Sequence, residues 1–340
     1  MSKKDTSVRN LKKVLDRNIK ISDAYLNFKI KLNKFIKKKP FTVAVSGGAD
    51  SLALTAFSKL YSHEMKTKVY FVLINHGIRK GSDKEAANVK KILNKYKVKL
   101  FILKNKTTFK SNIQKKARDI RYQLISKFCK KYNTKFTLTA HHADDQIETF
   151  LIRLSRGSGI QGLSSMQNLT KINRSIKLYR PFLEFKKKDL VFITKKFFGR
   201  SINDPSNIDQ KYLRTKIRKL AKTFEKSGIH HNQIIKSINN LASARDILNN
   251  YIEKVTKSCV KKNKKETLIN LKILLDEENE VQLRVLGEII KKHSKSYYPP
   301  RSKKTIRLME KLSMNKKVKT TLGGCVLIKS GKNLLIKKET

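Results

Sequence analysis

The chain has 340 residues and carries 79 lysines and arginines against 26 aspartates and glutamates, a formal net charge of +53 at pH 7. Hydrophobic residues make up 39% of the sequence, which is enough to bury a core, so the charge does not indicate a disordered chain. Single cores stop growing at roughly 250–300 residues, so we expect two domains. With 5 prolines and 13 glycines, the composition excludes a collagen-like or linker-dominated protein.

Apolar runs and cysteines bear on where the protein works. The strongest apolar run, Val69 to Ile74, has the length of a strand and is far shorter than the about 20 residues of a membrane-spanning helix. The lysine-rich N-terminus lacks the apolar segment of a secretory signal peptide. Cys129, Cys259 and Cys325 lie far apart and form no CxxC pair of a zinc site, iron–sulfur site or redox dithiol. We therefore expect a soluble, cytoplasmic protein with no membrane partner.

The positive charge is spread along the whole chain and does not form a tail. Such a surface favours a polyanionic partner, because lysine and arginine supply most of the non-specific affinity for nucleic acid. A coding sequence rich in A and T would also raise the lysine content, so any individual lysine can equally lie on a solvated face. The imbalance of charge leaves nucleic acid as the favoured class of partner.

Apolar patterns predict alternating strands and helices in the first half of the chain. Residues 1–39 form a lysine-rich helical lead-in that stops before Pro40. Strands are predicted at four segments: Phe41–Val45, Val69–Ile74, Val98–Leu103 and Phe136–Ala140. Helical periodicity follows each strand, over Leu52–Leu60, Glu85–Tyr96, Ile113–Tyr132 and Asp144–Leu154. This alternation predicts an α/β fold with a Rossmann-like parallel sheet.

The second half of the chain has a different pattern. Long lysine-rich helices are predicted at Leu213–Phe224, Gln233–Val255 and Val281–His293. Two strands, Lys319–Lys329 and Leu334–Lys338, flank a Ser-Gly-Lys-Asn turn and predict a hairpin. We therefore expect an α/β domain over residues 1–205 and a mainly helical domain with a small C-terminal β hairpin region over residues 206–340.

The segment Ser46-Gly47-Gly48-Ala49-Asp50-Ser51 stands where a buried strand turns into a helix. Two glycines permit positive φ and a close approach of backbone amides, and the helix N-terminus adds partial positive charge, so the segment predicts a phosphate-binding loop. The Walker A lysine and the third glycine of GxGxxG are absent, so neither that type of γ-phosphate transfer nor Rossmann redox chemistry is supported. A structural Gly-Gly turn before a helix capped by Asp50 is the alternative.

Two further groups of residues follow the phosphate loop. The segment Asn75-His76-Gly77-Ile78-Arg79 comes at the end of the second predicted strand, where open α/β sheets bind ligands. Arg118 and Arg121 lie one turn apart on a predicted helix and share a face. A solvated basic face would explain those two arginines as well.

Acidic residues cluster at the helix that follows the fourth predicted strand. Asp144 and Asp145 precede Glu148 by about one turn, so the three carboxylates gather near one helix end. A helix cap explains one aspartate but does not explain both of them together with His141, His142 and Glu148. Adjacent residues point apart on a helix, so a compact four-ligand zinc site is disfavoured.

Arg214 and Arg218 lie four residues apart and therefore share one face of a predicted helix. That face could bind RNA phosphates or could simply be solvated. The motif that contains these two arginines is the last of an ordered series along the chain. The series reads SGGADS, NHGIR, ARDIRY, TAHHADDQIET, RLSRGSGIQGL, RPFL and DPSNIDQKYLRTKIR. It spans about residues 41–218 and resembles the tRNA(Ile)-lysidine synthetases of the PP-loop ATP pyrophosphatase superfamily.

The resemblance implies a ligase that uses ATP to adenylate C2 of the wobble cytidine in an isoleucine tRNA with a CAU anticodon. The ε-amine of free lysine then displaces AMP and forms lysidine. It implies that Ser46–Ser51, Asn75 and His76 bind ATP, with Asp50 holding Mg²⁺. The implied catalytic residues are Asp50, Arg121, Asp145 and Glu148, and the implied substrate-binding residues are Arg118, Arg121, His141, Asp145, Glu148, Arg214 and Arg218.

These roles suit the residue types. Two carboxylates attract the lysine ammonium and can help remove its proton, while an arginine matches the α-carboxylate. Arg121 and Arg118 are both candidates for that arginine. Asn75 and Thr215 depart from the family, whose members often have Asp and Asn at these positions.

Two other functions stay open at this point. A tRNA thiolase of the same superfamily would need paired or catalytic cysteines or a cluster, which three scattered cysteines do not suggest. If the chain were a non-catalytic basic RNA-binding protein, the presence of Asp50, Asp145 and Glu148 in so cationic a sequence would be unexplained. The oligomeric state, a homodimer included, is not given by the sequence.

Overall fold

The computed structural model describes residues 6–77, 81–105, 113–173, 175–199, 213–263, 266–294, 299–300, 302–314 and 317–339. Contacts divide the chain into two compact units, Met1–Leu241 and Ala242–Thr340. The boundary that the sequence predicts near residue 205 lies outside the described residues. None of the described helices is long and apolar enough to cross a membrane.

The first unit combines one sheet with surrounding helices. Its strands are β1 Phe41–Ala44, β2 Val69–Asn75, β3 Leu100–Lys104, β4 Phe136–Leu138, β5 Leu169–Lys171 and β6 Lys177–Tyr179. Its helices are α1 Thr6–Asp16, α2 Ile19–Asn33, α3 Ala49–Glu64, α4 Ser82–Asn94, α5 Ile113–Lys131, α6 Ala143–Leu154, α7 Ile160–Leu163, α8 Lys187–Phe198, α9 Leu213–Lys226 and the first part of α10 His231–Cys259.

The sheet of the first unit has the strand order β3-β2-β1-β4-β6-β5. All neighbours pair in parallel except β5, which is antiparallel to β6. The order therefore reverses between β1 and β4, where Val43 pairs with Leu138. Open α/β sheets bind ligands at such a switch point, beyond the carboxyl ends of the strands. The predicted parallel sheet is confirmed, and the loops after β1 and β4 emerge side by side.

Aromatic packing fixes α3 behind the phosphate loop. Phe28 of α2 and Phe57 of α3 are fully buried, and both rings contact Phe182 at centroid distances of 5.6 and 5.9 Å. The Thr194 hydroxyl of α8 donates to the carbonyl of Ala49, the first residue of α3, at 2.5 Å. The start of α3 is thereby held to a neighbouring helix as well as to its own strand.

The second unit contains an antiparallel sheet of order β7-β8-β11-β10-β9. Its strands are β7 Val260–Lys262, β8 Glu266–Asn270, β9 Lys317–Leu322, β10 Cys325–Ser330 and β11 Asn333–Lys338. Its helices, besides the rest of α10, are α11 Leu271–Leu275, α12 Asn279–Ser294 and α13 Ser302–Met314. The predicted hairpin is confirmed as β10–β11, closed by the pair Ser330 and Asn333.

The hairpin is part of a larger sheet than the sequence predicts. The stretch predicted as one strand, Lys319–Lys329, belongs to two strands, because Gly323 and Gly324 turn the chain with φ of +62° and +77°. A Cβ at Gly323 would lie 2.9 Å from Cγ2 of Ile290, so the turn packs closely against α12. Glycine therefore meets both a conformational and a steric requirement at this position.

Candidate active site

The loop between β1 and α3 has the form of an anion cradle. Gly47 has φ of +90°, whereas Gly48 is extended and provides no side chain to cap α3. The amides of Ser46 and Gly47 both donate to Oγ of Ser51, each at 3.1 Å. Successive amides that converge in this way, next to an uncapped helix N-terminus, form a favourable site for phosphate. Only one of the two glycines uses the left-handed conformation that the sequence suggests for the pair.

Asp50 is the acidic side chain of the first turn of α3. Its Oδ1 atom is buried and has no hydrogen-bond partner within the described part of the chain. Its Oδ2 atom lies 3.5 Å from Nε2 of His142, the residue that precedes α6. One oxygen of the carboxylate thus lies near His142, and the other is buried without a hydrogen-bond partner among the described residues, at the start of the helix that follows the phosphate loop.

His142 lies among carboxylates from two elements. Its side chain is 4% exposed, and its Nε2 atom lies 3.5 Å from Oδ2 of Asp145 as well as from Asp50. On the opposite edge of the ring, Nδ1 lies 3.6 Å from Oδ2 of Asp144. Burial alone would lower the pKa of His142, but Asp144, Asp50 and Asp145 outweigh it and raise the pKa to about 10. The imidazole is therefore a buried cation at neutral pH.

The two aspartates of α6 have separate backbone partners. The backbone amide of His142 donates to Oδ2 of Asp145 at 3.1 Å, and the amide of Lys187 donates to Oδ2 of Asp144 at 3.0 Å. Burial would raise the pKa of Asp144, but the nearby His142 ring and the hydrogen bond from the Lys187 amide lower it to about 2. Asp144 thus ties the start of α6 to the start of α8, and Asp145 caps α6.

Asn75 and His76 lie at the carboxyl end of β2, as predicted. The Asn75 side chain is buried; its Nδ2 donates to Oδ1 of Asp83 at 2.7 Å, and its Oδ1 accepts from the amide of Gly77 at 3.0 Å. Burial, and then the positive charge of Arg121, lowers the pKa of His76. Asn75 therefore stabilises the turn after β2, and Arg121 reaches the vicinity of His76.

Arg118 and Arg121 differ in their surroundings, although both are exposed on α5. The Arg118 guanidinium lies 5.6 Å from the ring centroid of Tyr122, in a cation–π contact on the same helix. Arg121 lies close enough to His76 to act on its pKa. Arg121 therefore lies near His76, at the carboxyl end of β2.

Glu148 is buried and is paired with an arginine from another helix. Arg218 of α9 donates from Nε to Oε1 of Glu148, and its Nη2 lies 3.4 Å from Oε2. The apolar cluster of Ile147 and Leu151 with Ile217 and other residues of α9 and α10 brings the two helices together. Burial would lower the pKa of Arg218, but Glu148 raises it above its ordinary value.

The remaining predicted residues fall into two groups. The Nδ1 atom of His141 lies 2.9 Å from the hydroxyl of Thr139, at the end of β4. Arg214 is a residue of α9, but its side chain lies outside the described part of the chain. The structure thus gathers Asp50, His141, Asp145 and Glu148 on neighbouring elements, while the surroundings of Arg214 are not given.

Two arginines of the ordered motifs bind backbone carbonyls. Nη1 of Arg153 donates to the carbonyls of Gly162 and Ser165, at 2.7 and 3.0 Å. Nη1 of the buried Arg180 donates to the carbonyl of Gln167 at 2.8 Å. These arginines stabilise the backbone that follows α6, so their role in this structure is to support the site.

Comparison with known proteins agrees with this geometry. The PP-loop domain family matches residues 24–223, more than half of the chain. A tRNA(Ile)-lysidine synthase of Wolbachia pipientis wMel is 36% identical over 306 residues, covering 88% of this chain and 70% of the relative. The chain belongs to the tRNA(Ile)-lysidine synthase family. A family member from Orientia tsutsugamushi is 38% identical over 192 residues, covering 56% of this chain and 43% of the relative.

One solved structure has a fold similar to that of this chain. A U34-tRNA thiolase from Methanococcus maripaludis, described with its [4Fe-4S] cluster, superposes with a TM-score of 0.54 at 16% identity. The match covers 65% of this chain and 78% of the thiolase. At this identity the likeness shows a shared fold only.

Proposed function

We propose that the chain uses ATP to adenylate C2 of the wobble cytidine in an isoleucine tRNA with a CAU anticodon, and then joins free L-lysine to form lysidine, with release of pyrophosphate and AMP. One observation carries the proposal. Asp50 of the phosphate loop lies beside the helix end that carries Asp145 and Glu148, where the strand order reverses. An ATP site and a site for a cationic amine therefore adjoin each other.

The ATP half of the site rests on the loop between β1 and α3. The N-terminus of α3 would bind the phosphates, and the amides of Ser46 and Gly47 would join it by exchanging their hydrogen bonds to Oγ of Ser51 for bonds to phosphate. Mg²⁺ in nucleotide sites takes one or two carboxylates and completes its shell with phosphates and water. The buried Oδ1 of Asp50, which has no hydrogen-bond partner among the described residues, fits such a role as a single carboxylate ligand, and no described cluster of three or more His, Cys, Asp or Glu residues could hold a metal by itself. Bound there, Mg²⁺ would neutralise charge on the leaving pyrophosphate.

The lysine half of the site rests on α6 and α5. The carboxylates of Asp145 and Glu148 attract the ε-ammonium, and a carboxylate can take the proton that the amine must lose before it attacks. Arg121 would bind the α-carboxylate of lysine, since a guanidinium matches a carboxylate in two parallel hydrogen bonds. The proposal requires lysine to share Glu148 with Arg218 or to displace it.

The RNA half of the proposal rests on charge. The net charge of +53 provides a large, sequence-independent attraction to a folded RNA. Arg214 would contact the RNA from α9, a helix that the pair of Arg218 and Glu148 fixes beside the site. A phosphate contact of this kind orients the RNA, whereas the choice of cytidine would come from contacts with the base.

The cysteines do not favour sulfur transfer as a second function. Cys129 is buried between Thr42 and Thr137 in the first unit, whereas Cys259 and Cys325 are buried in the core of the second. Burial raises the pKa of the Cys259 and Cys325 thiols, which lowers their reactivity as nucleophiles. Three free, buried thiols suit a reducing compartment, and we propose a cytoplasmic location.

The proposed function is tested by following each product separately. The chain is incubated with ATP, Mg²⁺ and an isoleucine tRNA transcript that has the CAU anticodon, with and without lysine. Pyrophosphate should form in both cases, and AMP should appear together with the lysine-modified RNA only when lysine is present. A transcript with uridine at the wobble position is the matched control and should give neither product. Equal product formation from both transcripts would contradict the proposal.

A further inference from the structure

His142 connects two loops that are distant in sequence. Its Nε2 atom is equally far, 3.5 Å, from Oδ2 of Asp50 on α3 and from Oδ2 of Asp145 on α6. The ring is buried, with 4% of its side chain exposed, whereas the three neighbouring aspartates are 23–33% exposed. The imidazole is therefore more deeply buried than the three carboxylates around it.

The cluster needs a cation at this place. Three carboxylates, those of Asp50, Asp144 and Asp145, lie within 3.6 Å of one imidazole, and like charges at such spacing repel each other. Arg218, the other cation in the neighbourhood, hydrogen-bonds to Glu148. Among the described residues, His142 is thus the side chain that lies close to both Asp50 of the phosphate loop and Asp145, which is proposed to bind lysine.

We propose that His142 is a positioning residue that sets Asp50 and Asp145 for their two different ligands. It engages Oδ2 of Asp50 and leaves the unpartnered Oδ1 for the cation that accompanies ATP. It engages Oδ2 of Asp145, which also accepts the His142 amide, and leaves the other oxygen for the lysine ammonium. The second part rests on the proposed function, whereas the first depends only on ATP binding.

The competing role for His142 is that of a helix cap, since it is the residue that precedes α6. The two roles use opposite edges of the ring. The amide nitrogen of glutamine can reach the position of Nε2, which faces Asp50 and Asp145. The shorter asparagine places its amide near Nδ1, which faces Asp144, and asparagine is among the best residues at a helix N-cap. If His142 only caps the helix, His142→Asn should be tolerated better than His142→Gln. If His142 positions Asp50 and Asp145, His142→Gln should be tolerated better.

The test measures binding of Mg²⁺ with a non-hydrolysable ATP analogue by calorimetry, without tRNA or lysine. We expect His142→Gln to bind within about threefold of the wild type and His142→Asn to bind roughly tenfold more weakly, the value of one hydrogen bond to a charged group. In an Asp50→Asn background the same two substitutions should differ little, because the Asp50 carboxylate that only the glutamine reaches is gone. Equal or tighter binding by His142→Asn would overturn the positioning role.

A second measurement uses the unchanged sequence and does not depend on whether a variant folds. In wild-type protein labelled with ¹⁵N in histidine, the ring resonances of His142 should shift when the magnesium–ATP analogue is added. They should shift again when lysine is added. Resonances that stay unchanged with the analogue would contradict the coupling to Asp50. A response to the analogue without a response to lysine would contradict the part that concerns Asp145. Failure of the proposed function appears separately, as absence of lysine transfer by the wild type.

Discussion

Arg218 on α9 holds the buried carboxylate of Glu148 on α6 through two of its guanidinium nitrogens, Nε and Nη2. The two residues are 70 positions apart, and only the packing of α9 against α6 brings them together. A carboxylate that the sequence assigns to lysine is therefore already neutralised by an arginine that the sequence assigns to RNA. The pair links the proposed amine site to the helix that also carries Arg214.

Removal of Arg218 should destabilise the protein and increase its response to lysine. Arg218→Ala leaves a buried carboxylate unpaired, which we expect to cost about 2 kcal/mol, less than for a fully buried pair because Arg218 is partly exposed. If lysine binds at Glu148, its ammonium should restore part of this stability, so lysine should raise the unfolding temperature of the variant more than that of the wild type.

The control for this prediction is Lys257→Ala, which breaks the exposed pair with Glu253 and should leave the stability almost unchanged. Thermal unfolding with and without lysine provides the measurement for all three proteins. A lysine response that is the same in Arg218→Ala and in the wild type would show that Glu148 does not receive the amine.

Replacement of Asn75 by the residue common in the family should be unfavourable in this chain. Asn75→Asp removes the donor to Asp83 and places a buried carboxylate about 3 Å from the exposed carboxylate of Asp83. We expect a loss of about 1–3 kcal/mol in the free energy of unfolding. The double variant Asn75→Asp with Asp83→Asn exchanges the two groups and should recover most of the loss. Denaturation in urea checks both, and a single variant as stable as the wild type would refute the prediction.

The buried imidazole predicts a pH dependence of stability. The pKa of His142 is raised to about 10 in the folded chain, so its contribution is fully present below its ordinary pKa of 6.5 and is lost as the pH rises toward 10. The pKa of Asp144 is lowered from 3.8 to about 2, so its contribution is present above 3.8 and lost as the pH falls toward 2. Together these contributions are largest at about pH 4–6.5.

Urea unfolding at several pH values checks this prediction. The wild type should be most stable relative to His142→Gln near pH 5, and the difference between the two proteins should shrink steadily up to about pH 10. The ordinary titration of the many lysines is common to both proteins and cancels in the comparison. A difference that does not change between about pH 6 and pH 10 would contradict a charged His142.

Two glycines of the second unit allow the cost of backbone strain to be measured separately from the cost of close packing, because both have positive φ and only Gly323 has close neighbours. Gly323→Ala introduces a Cβ at a φ of +62° and within 2.9 Å of Ile290, whereas Gly331→Ala introduces one at +56° into open space. We expect Gly331→Ala to cost about 1 kcal/mol for the left-handed conformation alone and Gly323→Ala to cost more. Chemical denaturation measures both. Equal costs would mean that the turn moves away from α12 without penalty.

The sequence predicts the features that depend on local pattern. The apolar runs at Phe41–Val45 and Val69–Ile74 and the two glycines after the first run suffice to predict the first two strands and the phosphate loop. Strands of only three residues, such as β5 and β6, are too short for an alternation of apolar and polar residues to be recognised in the sequence. The turn at Gly323 cannot be predicted from the apolar pattern, because the residues on both sides of it favour strands.

The side-chain partners within the site could not be predicted in the same way. The His-His pair before α6 is visible in the sequence, but only the adjacency of β1 and β4 brings His142 to Asp50. The pairing of Glu148 with Arg218 likewise depends on the tertiary packing of two helices. Helical spacing placed Arg218 on a basic face and could not show that this face turns toward a buried carboxylate.

The most direct test of the account is the mass of the wobble nucleoside after incubation of isoleucine tRNA bearing the CAU anticodon with the chain, ATP, Mg²⁺ and lysine. The account predicts that this cytidine alone gains the mass of one lysine less one water, and that Asp50→Asn, which alters the phosphate loop, abolishes the gain while tRNA binding is largely retained. An unchanged cytidine in tRNA that is shown to be bound by the wild-type chain would contradict it.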